Sequence, residues 1–255
     1  MMLPFRLGST SYVYDAGLAE NAERLAAAGL VRDMELVLFD LPDGVSNYPD
    51  EATLRRLRAV QAQYDMSYTV HLPLDLRSTD GALHPSLVEA RRVIELTHSL
   101  QPVAYVAHLD GTRLGELGWT QQAADALAQT VAWAGTVPLA IENLETYDAS
   151  VFADLLTASG SKRCVDIGHL WKQGRDPLPL LDAWLADAQV VHLHGCVDGR
   201  DHISLAAVTP AQLDPVIARL AGFDGVLTLE VFGEADTLSS LAAFHQALER
   251  LGLNA

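Results

Sequence analysis

The stretch RCVDIGHLWKQGRDPLPLLDAWLADAQVVHLHGC, Arg163–Cys196, sets an apolar run, an amphipathic segment and a second apolar run in succession. RCVDIGHLW (163–171) and QVVHLHGC (189–196) read as strands, and LPLLDAWLADA (178–188) between them reads as a helix. Two largely apolar strands joined through a helix predict a parallel pair, because that connection needs a crossover and covers both faces of the sheet.

The same unit repeats outward in both directions. Strands are expected at RLGSTSYVY (from Arg6), DMELVLFD (from Asp33), SYTVHLPL (from Ser67), VAYVAHLDG (from Val103), PLAIENLE (from Pro138) and GVLTLEVF (from Gly225), giving eight with the opening pair. Helical patterns fill the gaps, and Thr120, Asp148 and Thr209 before Pro210 stand where helix starts want a cap. Eight strand-then-helix units with no composition break predict one α/β domain over residues 1–255, a single (β/α)8 TIM barrel. The rival is a doubly wound open sheet, and no GxGxxG follows the first strand to support it. The loops DGVSNYPD (43–50) and DLRSTDGALHP (75–85) fall at the barrel end where such enzymes place their sites, as candidate substrate walls.

In 255 residues, 49% hydrophobic and 20% charged, there is enough apolar surface for a sizeable core. No apolar run reaches the roughly 18 residues of a membrane span, and MMLPFRLGST lacks a signal-peptide core, so no membrane partner and a cytoplasmic location are expected. Cys164 and Cys196 form no CxxC and are expected as reduced thiols; Cys196 reads as a small strand-end filler. A net charge of −16 argues against nucleic acid as a partner. Trp119, Trp133 and Trp184 sit on or beside helices and are expected to pack the outer ring. The sequence leaves the oligomeric state open.

Polar residues at the C-terminal ends of barrel strands read as functional, since the site is assembled there from several strands. Here those positions hold His71, His108, Glu142 with Asn143, Asp166 with His169, His192 with His194, Asp201 with His202, and Glu230. Six of the nine histidines gather at one expected rim; His84, His98 and His245 lie elsewhere. A single histidine reads most simply as a hydrogen-bonded core imidazole, but six with four carboxylates at one mouth are the ligand set of zinc, iron or manganese. Glu142, Asp166, Asp201 and Glu230 would repel one another unless two or three divalent cations neutralised them. Closely spaced metals suit phosphate-ester hydrolysis, where they activate water and stabilise the leaving oxygen. Tyr12, Tyr14, Tyr48, Tyr147 and Trp171 lie at or just beyond strand ends as candidate stacking surfaces, with packing as the plain alternative.

The order His71, His108, Glu142, DIGH, HLHG, Asp201–His202 and Glu230 resembles the xylose-isomerase-like barrel superfamily, and most of all its apurinic-endonuclease branch. That resemblance implies His71 and His108 on a first metal, Glu142 bridging to a second held with Asp166, His192 and Glu230, and His169 and His202 on a third. It implies Glu142, Glu230 and His202 as catalytic residues. The branch carries Asp-x-His where GRDHIS places Asp201 directly before His202, so Asp198 and Asp201 are both open as the third metal's carboxylate.

The phrases GSTSYVY, MELVLFD, VSNYP, YTVHLPLDLR, YVAHLDG, IENLE and DIGHLW look, more narrowly, like a cobamide-remodelling phosphodiesterase family. That implies hydrolysis of the nucleotide-loop phosphodiester of adenosylated corrinoids of the coenzyme B12 type, giving adenosylcobinamide phosphate and an α-riboside. The partner would be a small-molecule corrinoid, contacted by Tyr12, Tyr14, Tyr48, Asn143, Tyr147, Trp171 and His194. Asn143 and His194 are assigned here as substrate contacts, with an outer-shell role open for His194. A metal-dependent sugar isomerase or epimerase is the alternative, using Glu142, Asp166, His192 and Glu230 around one metal. A DNA-repair nuclease and a non-catalytic corrinoid or metal carrier remain as lesser readings.

Overall fold

A computed structural model of the protein describes residues 4–41 and 43–253. Eight parallel strands close into a barrel: β1 (Arg6–Thr10), β2 (Asp33–Val37), β3 (Ser67–His71), β4 (Ala104–Ala107), β5 (Leu139–Glu142), β6 (Lys162–Asp166), β7 (Ala188–Leu193) and β10 (Val226–Leu229), the last pairing with β1. The helices α1 (Leu18–Ala28), α2 (Glu51–Tyr64), α3 (Pro85–Thr97), α4 (Trp119–Ala134), α5 (Ala153–Ser159), α6 (Ile167–Lys172), α7 (Leu178–Trp184), α8 (Pro210–Leu220) and α9 (Glu234–Leu251) lie between and after the strands. The (β/α)8 reading holds. Among the described residues, no helix is long and apolar enough to cross a membrane.

Local chemistry explains the elements. In α1, Leu18, Ala22, Leu25 and Ala26 recur at helical spacing and are buried, and the chain leaves through Gly29 at φ 64°, a left-handed stop. In α2, the Asp50 carboxylate accepts from Thr53 N and caps the first turn. Strand residues alternate between the helices and the barrel interior. Ala104, Val106, Ala140, Cys164 and Val190 form a separate small-residue cluster, while the large cluster packs the helices on the outside. Small side chains at mid-barrel leave the strand tips free to carry polar groups.

Every strand ends short of the run expected from the sequence, and two of these shortened ends shape the site. The sixth ends at Asp166 rather than running on to Trp171: Asp166 Oδ1 accepts from His169 N at 2.6 Å and caps the short helix α6. The seventh stops at Leu193, and the chain forms an antiparallel hairpin of β8 (Gly195–Val197) and β9 (Arg200–Ile203). Its turn holds Asp198 at φ 53° and Gly199 at φ 76°, the two left-handed residues of a tight hairpin. Both departures lie at the site, because each turns the chain to aim a histidine.

Candidate metal centre

Glu142, at the tip of β5 and 1% exposed, is the hub. Its Oε2 lies 3.3 Å from His71 Nε2, 3.4 Å from His108 Nε2 and 3.3 Å from His192 Nδ1, while Oε1 lies 3.2 Å from His169 Nδ1. Glu230 Oε2 stands 3.1 Å from His192 Nδ1, and Asp166 Oδ2 stands 3.8 Å from it. Potential donors therefore converge in one group of His71, His108 and Glu142 and another of Glu142, Asp166, His192 and Glu230, with Glu142 common to both.

The tautomers can be read from the outer nitrogens. His71 Nδ1–H donates to Leu72 O at 3.0 Å, His108 Nδ1–H to Asp75 at 3.1 Å, and His192 Nε2–H to Glu35 at 2.9 Å. Each of these neutral rings then turns a lone pair towards the carboxylates. A lone pair facing a carboxylate repels it unless a cation lies between them. His192 Nδ1 and Glu230 Oε2 are both buried without a hydrogen-bond partner among the described residues, although they are 3.1 Å apart. Bonds of about 2.1 Å in a tetrahedral shell put neighbouring donors about 3.4 Å apart, close to the spacing here. The residues present fit divalent cations.

Protons take the cations' place when no metal is bound. Burial disfavours the charged form of His108, but Glu142 and Asp75 outweigh it and push its pKa up to about 10. For His169, burial is likewise outweighed by Asp166 and Glu142, and its pKa also reaches about 10. Burial acts to raise Glu142, yet His192 and His108 hold it well below the usual carboxylate range. Metal loading must displace these protons, so affinity is expected to rise with pH from neutrality towards about 10. The imidazoles' contribution to the metal-free fold has the opposite sense: full below their unfolded value of 6.5, it is lost as pH rises through about 10. Titration calorimetry in buffers of different ionisation heat is expected to show proton release on metal uptake at pH 7; uptake without release would contradict this.

A third group joins His169, His194 and His202. His202, on the hairpin at φ 48°, donates from Nδ1 to Glu230 O at 3.2 Å, which leaves its Nε2 lone pair available. His194 differs. Its Nδ1 accepts the His202 backbone N–H at 2.9 Å, a fixed donor that outweighs the 3.3 Å contact with Gly195 O, so Nε2 keeps the proton and donates to Asp166 Oδ2 at 3.2 Å. His194 is thereby a brace between a candidate ligand and the hairpin. It stacks on His202 with centroids 4.1 Å apart, and Gly168 makes room: a Cβ there would collide with the His194 ring.

Of the other sequence assignments, Tyr147 lines the mouth, its ring seated against Gly111 and its hydroxyl donating to Leu109 O. Asn143 instead staples β5 to β6 through Asp166 N and O. Tyr12 accepts from Asn47 and packs edge-on to Phe232, Tyr14 lies under Arg24, and Tyr48 donates to Glu89. Trp171 lines a separate hollow beside α8. None of these five lines the mouth, and the loop 43–50 contributes no lining residue, whereas Asp75 of the other expected wall does. Asp198 is exposed at the hairpin turn, and Asp201 is held by Lys172 at 2.6 Å, so neither joins a donor group. Cys164 Sγ is grouped with Glu142 and His192 but is fully buried, and burial pushes its thiol well up, so it is a neutral interior filler. Glu35, which orients His192, has no role in the sequence analysis, and Asp75, expected there only as part of a substrate wall, orients His108. A charge in the middle of DMELVLFD was the available signal.

The mouth is a cavity of about 560 Å³ lined also by Glu145, Thr112, Thr146 and Phe232, the last 43% exposed. A closed (β/α)8 barrel with a histidine–carboxylate cluster over the C-terminal strand ends defines the class. The chain belongs to the xylose isomerase-like TIM barrel family, whose model matches residues 22–251. Its fold is similar to endonuclease IV from Thermus thermophilus, at 21% identity and TM-score 0.73, covering 96% of this chain and 99% of that one. It is also similar to a D-tagatose 3-epimerase-like protein (18% identity, TM-score 0.74, 97% and 98% covered) and an L-ribulose 3-epimerase (18%, 0.67, 98% and 94%). At such identities the likeness shows the fold. No curated protein matches the sequence.

Proposed function

We propose that the protein is a metal-dependent phosphodiesterase acting on the nucleotide loop of adenosylated cobamides. One observation carries the hydrolase reading: His71 and His108 converge with His192 on the same oxygen of Glu142. A single-metal isomerase needs only Glu142, Asp166, His192 and Glu230. The two extra imidazoles would then be expected to face substrate hydroxyls, not the buried hub.

Divalent cations held by the two groups would supply Lewis acidity, making water a competent nucleophile near neutral pH and offsetting charge on the leaving oxygen. The chain's own part is positional. Glu35 and Asp75 fix two imidazoles, and burial of Glu142 keeps bulk water from its carboxylate. The Tyr147 ring forms a fixed wall, and exposed Phe232 offers a stacking face at the rim. Among the described residues no lysine or arginine lines the mouth, while Asp75, Glu145 and Asp201 do. That suits one phosphodiester drawn in by a metal centre and disfavours a polyanion. The volume suits the base, ribose and phosphate of a nucleotide loop, with the corrin ring outside. The corrinoid itself is supported by the sequence phrases that resemble the cobamide-remodelling family.

The test incubates the protein with adenosylcobalamin and manganese, iron or zinc and follows product masses. Adenosylcobinamide phosphate and the α-riboside are expected. Intact cofactor with all three metals would remove the substrate assignment. The second reading, a sugar epimerase, rests on the self-sufficient four-ligand group. It is distinguished by turnover of a ketose with one metal per chain.

A further inference from the structure

Three positively charged or proton-bearing groups compete for the third group's surroundings, and the competition settles its ligands. His194 spends Nδ1 on the His202 N–H and Nε2–H on Asp166, so binding a metal at Nε2 would require a fully deprotonated ring and binding at Nδ1 would break the His202 contact. Asp201, the carboxylate nearest His202 in sequence, accepts from Lys172 Nζ at 2.6 Å. The same ammonium donates to Glu145 Oε1 at 2.9 Å, and Glu145 Oε2 lies 3.7 Å from His169 Nε2. Lys172 reaches this place because it lies on α6 one turn beyond His169, and its side chain is 29% exposed. Two carboxylates at the edge of the third group thus already share one covalently tethered cation. What remains there is the pair His169 and His202, too few donors for a closed structural site or for the three protein ligands usual at a catalytic one.

We propose that Lys172 takes the charge-balancing place of a third divalent ion, so that the centre binds two metals and an ammonium rather than three metals. This rests on the two-metal reading of the site but not on the corrinoid. In this arrangement the hairpin is tied to the barrel mouth by the Lys172–Asp201 pair and by the His194–His202 contacts, not by a metal. The count of metals is then a property of residue 172.

The experiment saturates the metal-free protein with zinc or manganese, removes unbound ion by gel filtration and measures metal per chain. The wild type is expected to hold two. Lys172→Met, which leaves Asp201 and Glu145 uncompensated beside His169 and His202, is expected to hold three. Asp201→Asn in the otherwise natural chain is expected to stay at two, and it decides the matter even if the Lys172 variant does not fold. Three metals in the wild type, falling to two in Asp201→Asn, would overturn the proposal, as would a folded Lys172→Met that stays at two. Failure to cleave adenosylcobalamin with two metals bound removes only the substrate; one metal per chain removes the centre and this inference together.

Discussion

Glu142→Gln is expected to lose activity on the order of a thousandfold or more, in line with removal of a group acting as part of a unit, and to lose bound metal in the same sample. The carboxylate is shared: one oxygen faces His71, His108 and His192, and the other faces His169. Glutamine keeps the shape but replaces one oxygen by an amide that has no lone pair to give, and it removes the charge that both groups share. A side chain serving one group would cost one metal; this one is expected to weaken both. Elemental analysis and kcat on one preparation, with circular dichroism to confirm the fold, check it. Two retained metals with activity within about tenfold of wild type would show that Glu142 is not the bridge.

Glu35→Gln is the second large effect, and it acts at a distance. Glu35 is fully buried, does not line the cavity, and accepts from His192 Nε2–H at 2.9 Å. The carboxylate makes the ring a better electron donor at Nδ1 and holds its orientation. Loss of such a partner typically costs roughly 10–100-fold in metal affinity, and that loss is expected here at the group containing Glu230, with the His71–His108 group less affected. Competition with a graded series of chelators resolves the two. Affinity within about twofold of wild type, against that expected range, would mean that the pair is only packing.

These effects trace which features the sequence makes legible. Alternating strands and helices and the rim position of His71, His108, Glu142, Asp166, His192 and Glu230 follow from period and strand-end placement, because a closed barrel aims every strand tip at one mouth. His194 does not follow. A period of two puts it on the face of His192, but the strand stops at Leu193 and the ring is received by Gly168, a packing relation between segments that no one-dimensional pattern carries. The pairing of Asp201 is hidden for a similar reason: its partner Lys172 is 29 residues away and is brought near only by the hairpin. Tyr14 and Tyr48 lie beyond the ends of β1 and β2, and Arg24 and Glu89 on neighbouring helices hold them away from the mouth. Glu35 was visible as a charge inside an apolar strand. A charge buried there requires a partner, and His192 supplies it.

Isotope-labelled water tests the proposed hydrolysis at phosphorus most directly. Adenosylcobalamin turned over by the metal-loaded protein in ¹⁸O-water is expected to give adenosylcobinamide phosphate carrying one heavy oxygen on phosphorus and an unlabelled α-riboside. Label in the riboside, or an intact corrinoid beside an epimerised ketose, would contradict it.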